Sequence, residues 1–410
     1  MTVTNWGGNV TFAAHDVRRP SSEDELAQVI TAADRVRALG SGHSFNRIAD
    51  TSGTLVSLAG MPRVFEVAPD RQTVRVGAGL TLGALATLLH DAGLAIPTLP
   101  SLTQLTVTGA VVTATHGSGV SVGSLATTVR AIQFVTATGQ PAILTRRHRD
   151  FDGAVVNLGA LGIITELEIT VEPTFDVEQR VYDGLAWDAL VEQIEPILAS
   201  AYGVSVFTAI TGPSRVWMKR RVGDPVTELP GMHPADGPQH TVRGLDPTNC
   251  TDQTGRPGPW HERLPHFRPE FNPSTGAELQ TEYLFDARHA AEALRVIERR
   301  KELIAPRLLT MEIRAVAADE HWLSPAFRRP SVGIHFTWRP DATRLWPVLA
   351  GLESALRPLA PRPHWGKLFA VSPAELSTRY PRWAEYRRLR HTFDPERHFG
   401  NAMMDSYFPG

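Results

Sequence analysis

Two stretches of the chain place a histidine among glycines and hydroxyls. The first is Gly40-Ser41-Gly42-His43-Ser44-Phe45-Asn46. Glycine lets backbone N–H groups come close to an anion, and successive N–H groups in such a turn form a concave anion site. An imidazole in that turn would face whatever the turn binds, although a glycine-rich surface loop with an incidental histidine is the competing reading. The second stretch runs from Ser101 to Gly119. Small residues recur at Thr106, Gly109, Ala110, Thr113 and Ala114, so a helix here would bare one face to another backbone or a flat ligand. Thr115-His116-Gly117-Ser118-Gly119 then adds hydroxyls and free N–H groups of the kind that hold a pyrophosphate. Helix packing explains the small residues but not the polar cluster beyond them. No GxGxxG follows the first strand, which disfavours a Rossmann dinucleotide site.

A third set of reactive residues falls on strands. Period-two alternation in Thr310 to Val316 puts Glu312 and Arg314 on one face and Met311, Ile313 and Ala315 on the other. Ile334 to Trp338 repeats the pattern with His335 and Thr337. The strand Ala277 to Tyr283 could add Glu278, Gln280 and Glu282. One face of an antiparallel sheet commonly meets water. Even so, Glu, Arg, His, Gln and Thr together make a directional hydrogen-bonding set suited to a polyol. Lys367 lies between apolar Trp365-Gly366 and Leu368-Phe369, flanks that argue against full exposure. His261 and His266 read as structural or peripheral. Metal-ligand spacing is absent, and the single Cys250 can form neither an internal disulfide nor a multi-thiolate site.

The elements that position these residues alternate between short strands and helices up to about residue 170. Val36 to Leu39 and Leu55 to Leu58 read as strands. Val64 to Val67 and Thr73 to Gly77 read as a hairpin. Thr81 to Ala92 reads as a helix capped by Thr81 and stopped at Gly93, and a strand ends before Pro173. Residues 211–275 are rich in Pro, Gly, His and Asp and read as a loop-rich insertion, in which Trp217, Trp260, Phe267 and Phe271 want burial. Helices near 187–201, 289–304 and 341–357 alternate with strands 278–285, 310–316 and 332–338, which suggests a sheet with helices on one face.

Composition narrows the class. With 410 residues, two or three domains are expected. Lys plus Arg number 41 against 43 Asp plus Glu, a balance that disfavours nucleic acid or an anionic membrane as partner. No apolar run could span a bilayer and no secretory signal is legible, so a soluble, cytoplasmic protein is expected. A monomer is compatible with the sequence.

The glycine-histidine turn, the Thr108-Gly109-Ala110 and Thr115 to Gly119 stretch, and Leu158 to Thr165 together resemble the flavin domain of the vanillyl-alcohol-oxidase-type flavoproteins. Over the whole chain, including Trp260 to Phe267 and His364 to Lys367, the sequence is most similar to the bacterial alditol oxidases. The resemblance implies an α+β, two-domain flavoprotein. Its FAD-binding domain would span 1–175, a mixed-sheet substrate (cap) domain 176–362, and a segment returning to the FAD domain 363–410. It implies FAD bonded covalently to His43. Ser41, Gly42, Ser44, Phe45, Ser101, Thr106, Gly109, Thr113, Thr115, His116, Gly117, Ser118, Gly119, Ile164 and His364 would contact the cofactor.

It further implies oxidation of the terminal CH2OH of a polyol such as xylitol or sorbitol to the aldose. Hydride would pass to flavin N5, with O2 reoxidising the flavin to give hydrogen peroxide. Lys367, Arg314 and His335 would be catalytic, with the formal base open between Lys367 and His335. Ser101, Glu312, Arg314, Thr337 and Gln280 would bind substrate, and no metal would take part. Three alternatives remain: a related aldonolactone oxidase, a polyol dehydrogenase using another acceptor, or a polyol- or flavin-binding protein without turnover. The intact Lys367, Arg314 and His335 set opposes the last.

Overall fold

In the computed structural model, which describes residues 3–272 and 274–409, the N-terminal part is built mainly on two small sheets, together with a two-stranded ladder of Leu94–Ala95 and Glu172–Pro173. Asp16–Arg18, Thr54–Val56 and Val36–Ala38 pair in parallel, in that order. Phe65–Val67, Thr73–Gly77, Ile163–Thr170, Val129–Val135 and Pro141–Thr145 form an antiparallel sheet. The expected hairpin forms with Phe65 opposite Val76 and Val67 opposite Val74. The helix Leu82–Asp91 starts where the Thr81 side chain accepts from the Ala84 N–H, and it buries Leu82, Leu85, Ala86 and Leu89. It ends before Gly93, whose φ of +71° suits glycine.

Among the described residues the larger sheet has nine strands. Its order runs His233–Pro234, Asp176–Leu185, Ser214–Arg221, Gly203–Thr208, Leu308–Val316, Ser331–Trp338, Leu279–Asp286 and Arg362–Pro363, with Gly258–Pro259 also paired to Asp176–Leu185. The α+β expectation holds, with two corrections. Where a mixed sheet was expected, every ladder between these strands is antiparallel. Residues 211–275 are also more than a loop-rich insertion, because Ser214–Arg221 is a full strand inside the sheet. That strand hides in the sequence because its inward face is not apolar. Arg215 and Lys219 are buried on the same face as Trp217, so the usual hydrophobic alternation is broken.

The two faces of the large sheet differ in chemistry. Met311, Ile313, Ile334, Phe336, Tyr283 and Phe285 point one way and share a core with Leu294 and Ile297 of helix Ala290–Glu298. Leu345, Leu349 and Leu352 of helix Ala342–Leu356 join them. Each fully buried side chain of this kind contributes about 1.5–3 kcal/mol. A one-residue slip would turn the whole set to the wrong face. The apolar face therefore fixes the register that sends Gln280, Glu282, Glu312, Arg314, His335 and Thr337 the other way.

The last helices pack back on the N-terminal sheets. Tyr386 Oη donates to the Asn157 carbonyl at 2.6 Å, and Asn401 Nδ2 donates to the Ile48 and Asp50 carbonyls at 3.0 and 2.8 Å. Arg37 fastens the same region. Its buried guanidinium donates to the carbonyls of Gly159, Phe399 and Leu158 at 2.9, 2.8 and 2.8 Å, and also to that of Ile48. Burial pushes Arg37 down to about 10, which leaves it charged at neutral pH. Among the described residues no helix is long and apolar enough to cross a membrane.

Arg37→Met takes their side-chain donor from the buried carbonyls of Gly159, Phe399 and Leu158, while that of Ile48 keeps Asn401. The expected loss of stability is about 3 kcal/mol or more, read as a lower urea midpoint with an unchanged slope.

Candidate active site

The polar face of the large sheet and the loops of the two small sheets line one cavity of about 410 Å³. The turn Gly40–Asn46 forms part of its wall. The backbone N–H groups of Gly40, Ser41, Gly42, His43 and Ser44 meet no protein acceptor among the described residues. Gly42 has φ +72°. A Cβ on Gly40 would lie 2.4 Å from Thr106 Oγ1, so this backbone must be bare where the two glycine-rich stretches meet. Consecutive unpaired N–H groups beside a cavity are what a phosphate anion requires. The His43 ring stacks on Trp6 with centroids 5.1 Å apart and hydrogen-bonds to nothing among the described residues. Burial pushes it down to about 4, so it is a neutral imidazole facing the cavity.

The turn also positions a lysine. The Phe45 N–H donates to the Gly366 carbonyl at 2.8 Å, and Asn46 Nδ2 donates to the Trp365 and Lys367 carbonyls at 2.8 and 2.7 Å. The segment carrying Lys367 is pinned to the sheet as well, by His364 N–H to the Glu282 carbonyl and Leu368 N–H to the Gln280 carbonyl, both 2.9 Å.

In the second stretch the helix is only six residues, Val107–Val112. Ser41, Gly42, Ser44, Phe45, Ser101, Thr106, Gly109, Thr113, Thr115, His116, Ile164 and His364 all line the cavity with His43. Gly117, Ser118 and Gly119 do not, which corrects the expectation of a phosphate contact there. The Gly119 N–H is taken by the Ala315 carbonyl and the Gly117 N–H by Thr98 Oγ1. A Cβ on Gly203 would lie 3.1 Å from the Ser118 carbonyl oxygen. These residues dock the N-terminal part onto the large sheet.

Sheet register assembles the polar set of the cavity. Glu312 sits opposite His335, and His335 opposite Glu282. One row further along, Thr310, Thr337 and Gln280 stand side by side. Gly333 lies opposite Arg314 and adds no side chain to the row. Gln280, Glu312, Arg314, His335, Thr337 and Lys367 all reach the cavity, and Ser101 Oγ accepts from Arg314 Nη1 at 3.4 Å.

Charge in this set centres on Glu282. Its Oε1 accepts from Arg314 Nη2 and its Oε2 from Lys367 Nζ, each at 2.7 Å, while His116 Nε2 lies 3.3 Å from Oε1. Burial pushes the Glu282 carboxyl up, but Lys367, Arg314 and His116 overcome it and hold it well below the usual carboxylate range. Glu312 is likewise held low despite burial, by Arg314, His266 and His335. Burial lowers Lys367, Glu282 opposes that shift, and Arg314 adds to it. Burial and then Lys367 lower His335, whose Nε2 is buried with no partner among the described residues.

Two residues of this site were not singled out from sequence. Glu282 was visible only as a third polar position on the strand of Gln280. His266, read as structural or peripheral, lines the cavity and places Nε2 2.8 Å from Glu312 Oε1. No periodicity marks it, because it arrives on a loop.

Comparison with known proteins accords with this geometry. Residues 15–144 match the FAD binding domain family, and residues 277–407 match the D-arabinono-1,4-lactone oxidase family. The chain is 45% identical to an alditol oxidase from Streptomyces sp. (strain IKD472 / FERM P-14339), over 100% of this chain and 99% of that one. It is 30% identical to an L-gulono-1,4-lactone dehydrogenase from Mycobacterium tuberculosis over 97% of each chain. Identity to the L-gulonolactone oxidase of Bos taurus is 25%, over 98% and 97%. A crystal structure of cholesterol oxidase from B. sterolicum superposes with a TM-score of 0.80 at 15% identity, covering 100% of this chain and 96% of that one, a likeness of fold alone. The unpaired N–H groups of Gly40 to Ser44 and the free imidazole of His43 fit FAD as the cofactor of this cavity.

Glu282→Gln would leave Lys367 without its ion-pair partner and Arg314 with Glu312 alone as its counter-charge. The expected cost at pH 7 is about 3 kcal/mol, measured by urea unfolding. The loss should shrink as pH rises and Lys367 becomes neutral.

Proposed function

Because the chain belongs to the family of FAD-binding oxidoreductases that includes alditol oxidase, we propose that it oxidises the terminal CH2OH of alditols such as xylitol and sorbitol to the aldose. In this proposal FAD is bonded covalently to His43, O2 is the electron acceptor, hydrogen peroxide is released, and the enzyme works in the cytoplasm. When bound, FAD accepts the hydride and hands the electrons to O2.

The residues of the chain bind, orient and move a proton. His335 Nε2, neutral and without a partner among the described residues, accepts the proton of the reacting hydroxyl. Lys367 is the weaker candidate for that task, because Glu282 holds its ammonium at 2.7 Å. Lys367 and Arg314 instead stabilise negative charge developing on the substrate oxygen. Glu312, Ser101, Thr337 and Gln280 pair with the other hydroxyls. One observation supports this reading above the rest: buried, directional hydrogen-bonding side chains crowd a single cavity wall. A sterol-like or other apolar substrate would leave them unpaired, at a cost of about 1–3 kcal/mol for each group. The family match over residues 277–407 favours a second reading, oxidation of an aldonolactone on the same wall.

Three measurements test the proposal. Acid-precipitated, washed protein should keep its yellow colour, and His43→Ala should release its flavin to the supernatant. Xylitol should bleach the flavin without air and yield peroxide with air, whereas bleaching by an aldonolactone alone would favour the second reading. A substrate lacking the C2 hydroxyl should lose kcat/KM by roughly 10²-fold or more.

His335→Ala should slow anaerobic flavin reduction by about 10²–10⁴-fold. A base must be unprotonated to act, and His335 is depressed. The wild-type rate should therefore be flat through neutral pH and fall only below the ordinary imidazole range.

A further inference from the structure

Glu312 meets the substrate wall through one carboxylate oxygen and a buried pair through the other. Its Oε2 lies 3.5 Å from His335 Nδ1, and its Oε1 lies 2.8 Å from His266 Nε2. On the far side of that imidazole, Lys219 Nζ lies 3.1 Å from Nδ1 and also donates to the Leu264 carbonyl. Lys219 and His266 are each only 3% exposed. Ser205 Oγ lies 3.3 Å from His266 Nε2, and the His266 backbone N–H donates to the Ser101 carbonyl at 2.9 Å. A fully buried lysine is rare unless it is paired, and here the partner is an imidazole rather than a carboxylate.

Hydrogen-bond chemistry restricts the protons. The Glu312 carboxylate only accepts, so the Nε2 that faces it carries the ring proton. Nδ1 then offers its lone pair to Lys219 Nζ, which burial pushes down to about 7 and which has an N–H to donate in either protonation state. Burial, followed by the neighbouring Lys219, pushes His266 down to about 4, so the ring is neutral and its tautomer is the variable that matters. A proton on Nδ1 would set two lone pairs, on Nε2 and on Glu312 Oε1, against each other, and without the lysine the buried Nδ1 would lose its donor.

We propose that Lys219 and His266 are positioning residues for the polyol: the lysine donates to Nδ1 and so supports the Nε2–H tautomer that Glu312 requires, and that N–H holds Glu312 Oε1 so that Oε2 is presented to a substrate hydroxyl. The role in substrate binding rests on the alditol reading, while the tautomer does not. Loss of either residue acts through Glu312, which also faces Arg314 and His335.

The test uses the flavin-loaded enzyme with xylitol as probe. Lys219→Met should raise KM about tenfold, a change of about 1.4 kcal/mol, while kcat moves less. His266→Ala should match it, and His266→Gln, which keeps a side-chain N–H, should recover most of the affinity. Imidazole 15N shifts in protein labelled at histidine, assigned by comparison with His266→Gln, should report protonated Nε2 in the wild type. A proton on Nδ1 in the wild type would overturn the proposal. So would an unchanged KM in folded Lys219→Met, or His266→Gln behaving as badly as His266→Ala. If Lys219→Met does not fold, the two His266 variants decide. If the wild type oxidises no alditol, it is the substrate reading that has failed, and the 15N shifts still decide the tautomer.

Discussion

The carboxylate of Glu282 holds together three parts of the chain that are far apart in sequence. Arg314 comes from the neighbourhood of the central strands, Lys367 from the segment after the last sheet strand, and His116 from the second glycine-rich stretch. A buried carboxylate survives only when opposite charge and donors surround it, so the three must arrive together or the site does not form. Both cations gain from the arrangement as well. Arg314 would be depressed by burial, and Glu312 and Glu282 carry it above its ordinary value. The charge pattern of this polar wall is therefore a property of the assembled fold.

The opposite wall works by vacancy. The Gly40 to Ser44 turn keeps its N–H groups free because its carbonyls and flanks do the docking. Gly42 O accepts from the Trp6 N–H at 2.8 Å, and Ser44 O accepts from Asn5 Nδ2 at 2.9 Å. Asn46 closes the turn onto the backbone of Lys367. The wall that would hold the FAD phosphates and the wall that would meet the substrate thus share one set of short hydrogen bonds. A displacement of the turn would move the lysine with it.

Much of the polar wall could be read from the sequence. Glu312 with Arg314, and His335 with Thr337, were legible because side chains alternate strictly along a strand and apolar partners filled the positions between them. Gly40 to Asn46 was legible because glycine spacing carries a backbone meaning. The strand Ser214–Arg221 was not, since Arg215 and Lys219 occupy its inward face and break the alternation. Gly117 to Gly119 misled for a different reason. A glycine N–H serves a phosphate or a neighbouring strand equally well, and only the position of Ala315 shows that it is taken.

Local pattern alone determined which residues share a strand face and which turns need glycine. Those properties follow from backbone geometry over a few residues. That the polar face would meet a flavin was implied only by the resemblance to a known family. Tertiary structure alone decided that Glu282 is the central carboxylate, that His266 stands behind Glu312, and that Lys219 stands behind His266. Each of these contacts joins residues tens of positions apart, and their energies depend on burial and on the charge of the neighbour. Neither quantity exists until the chain has folded.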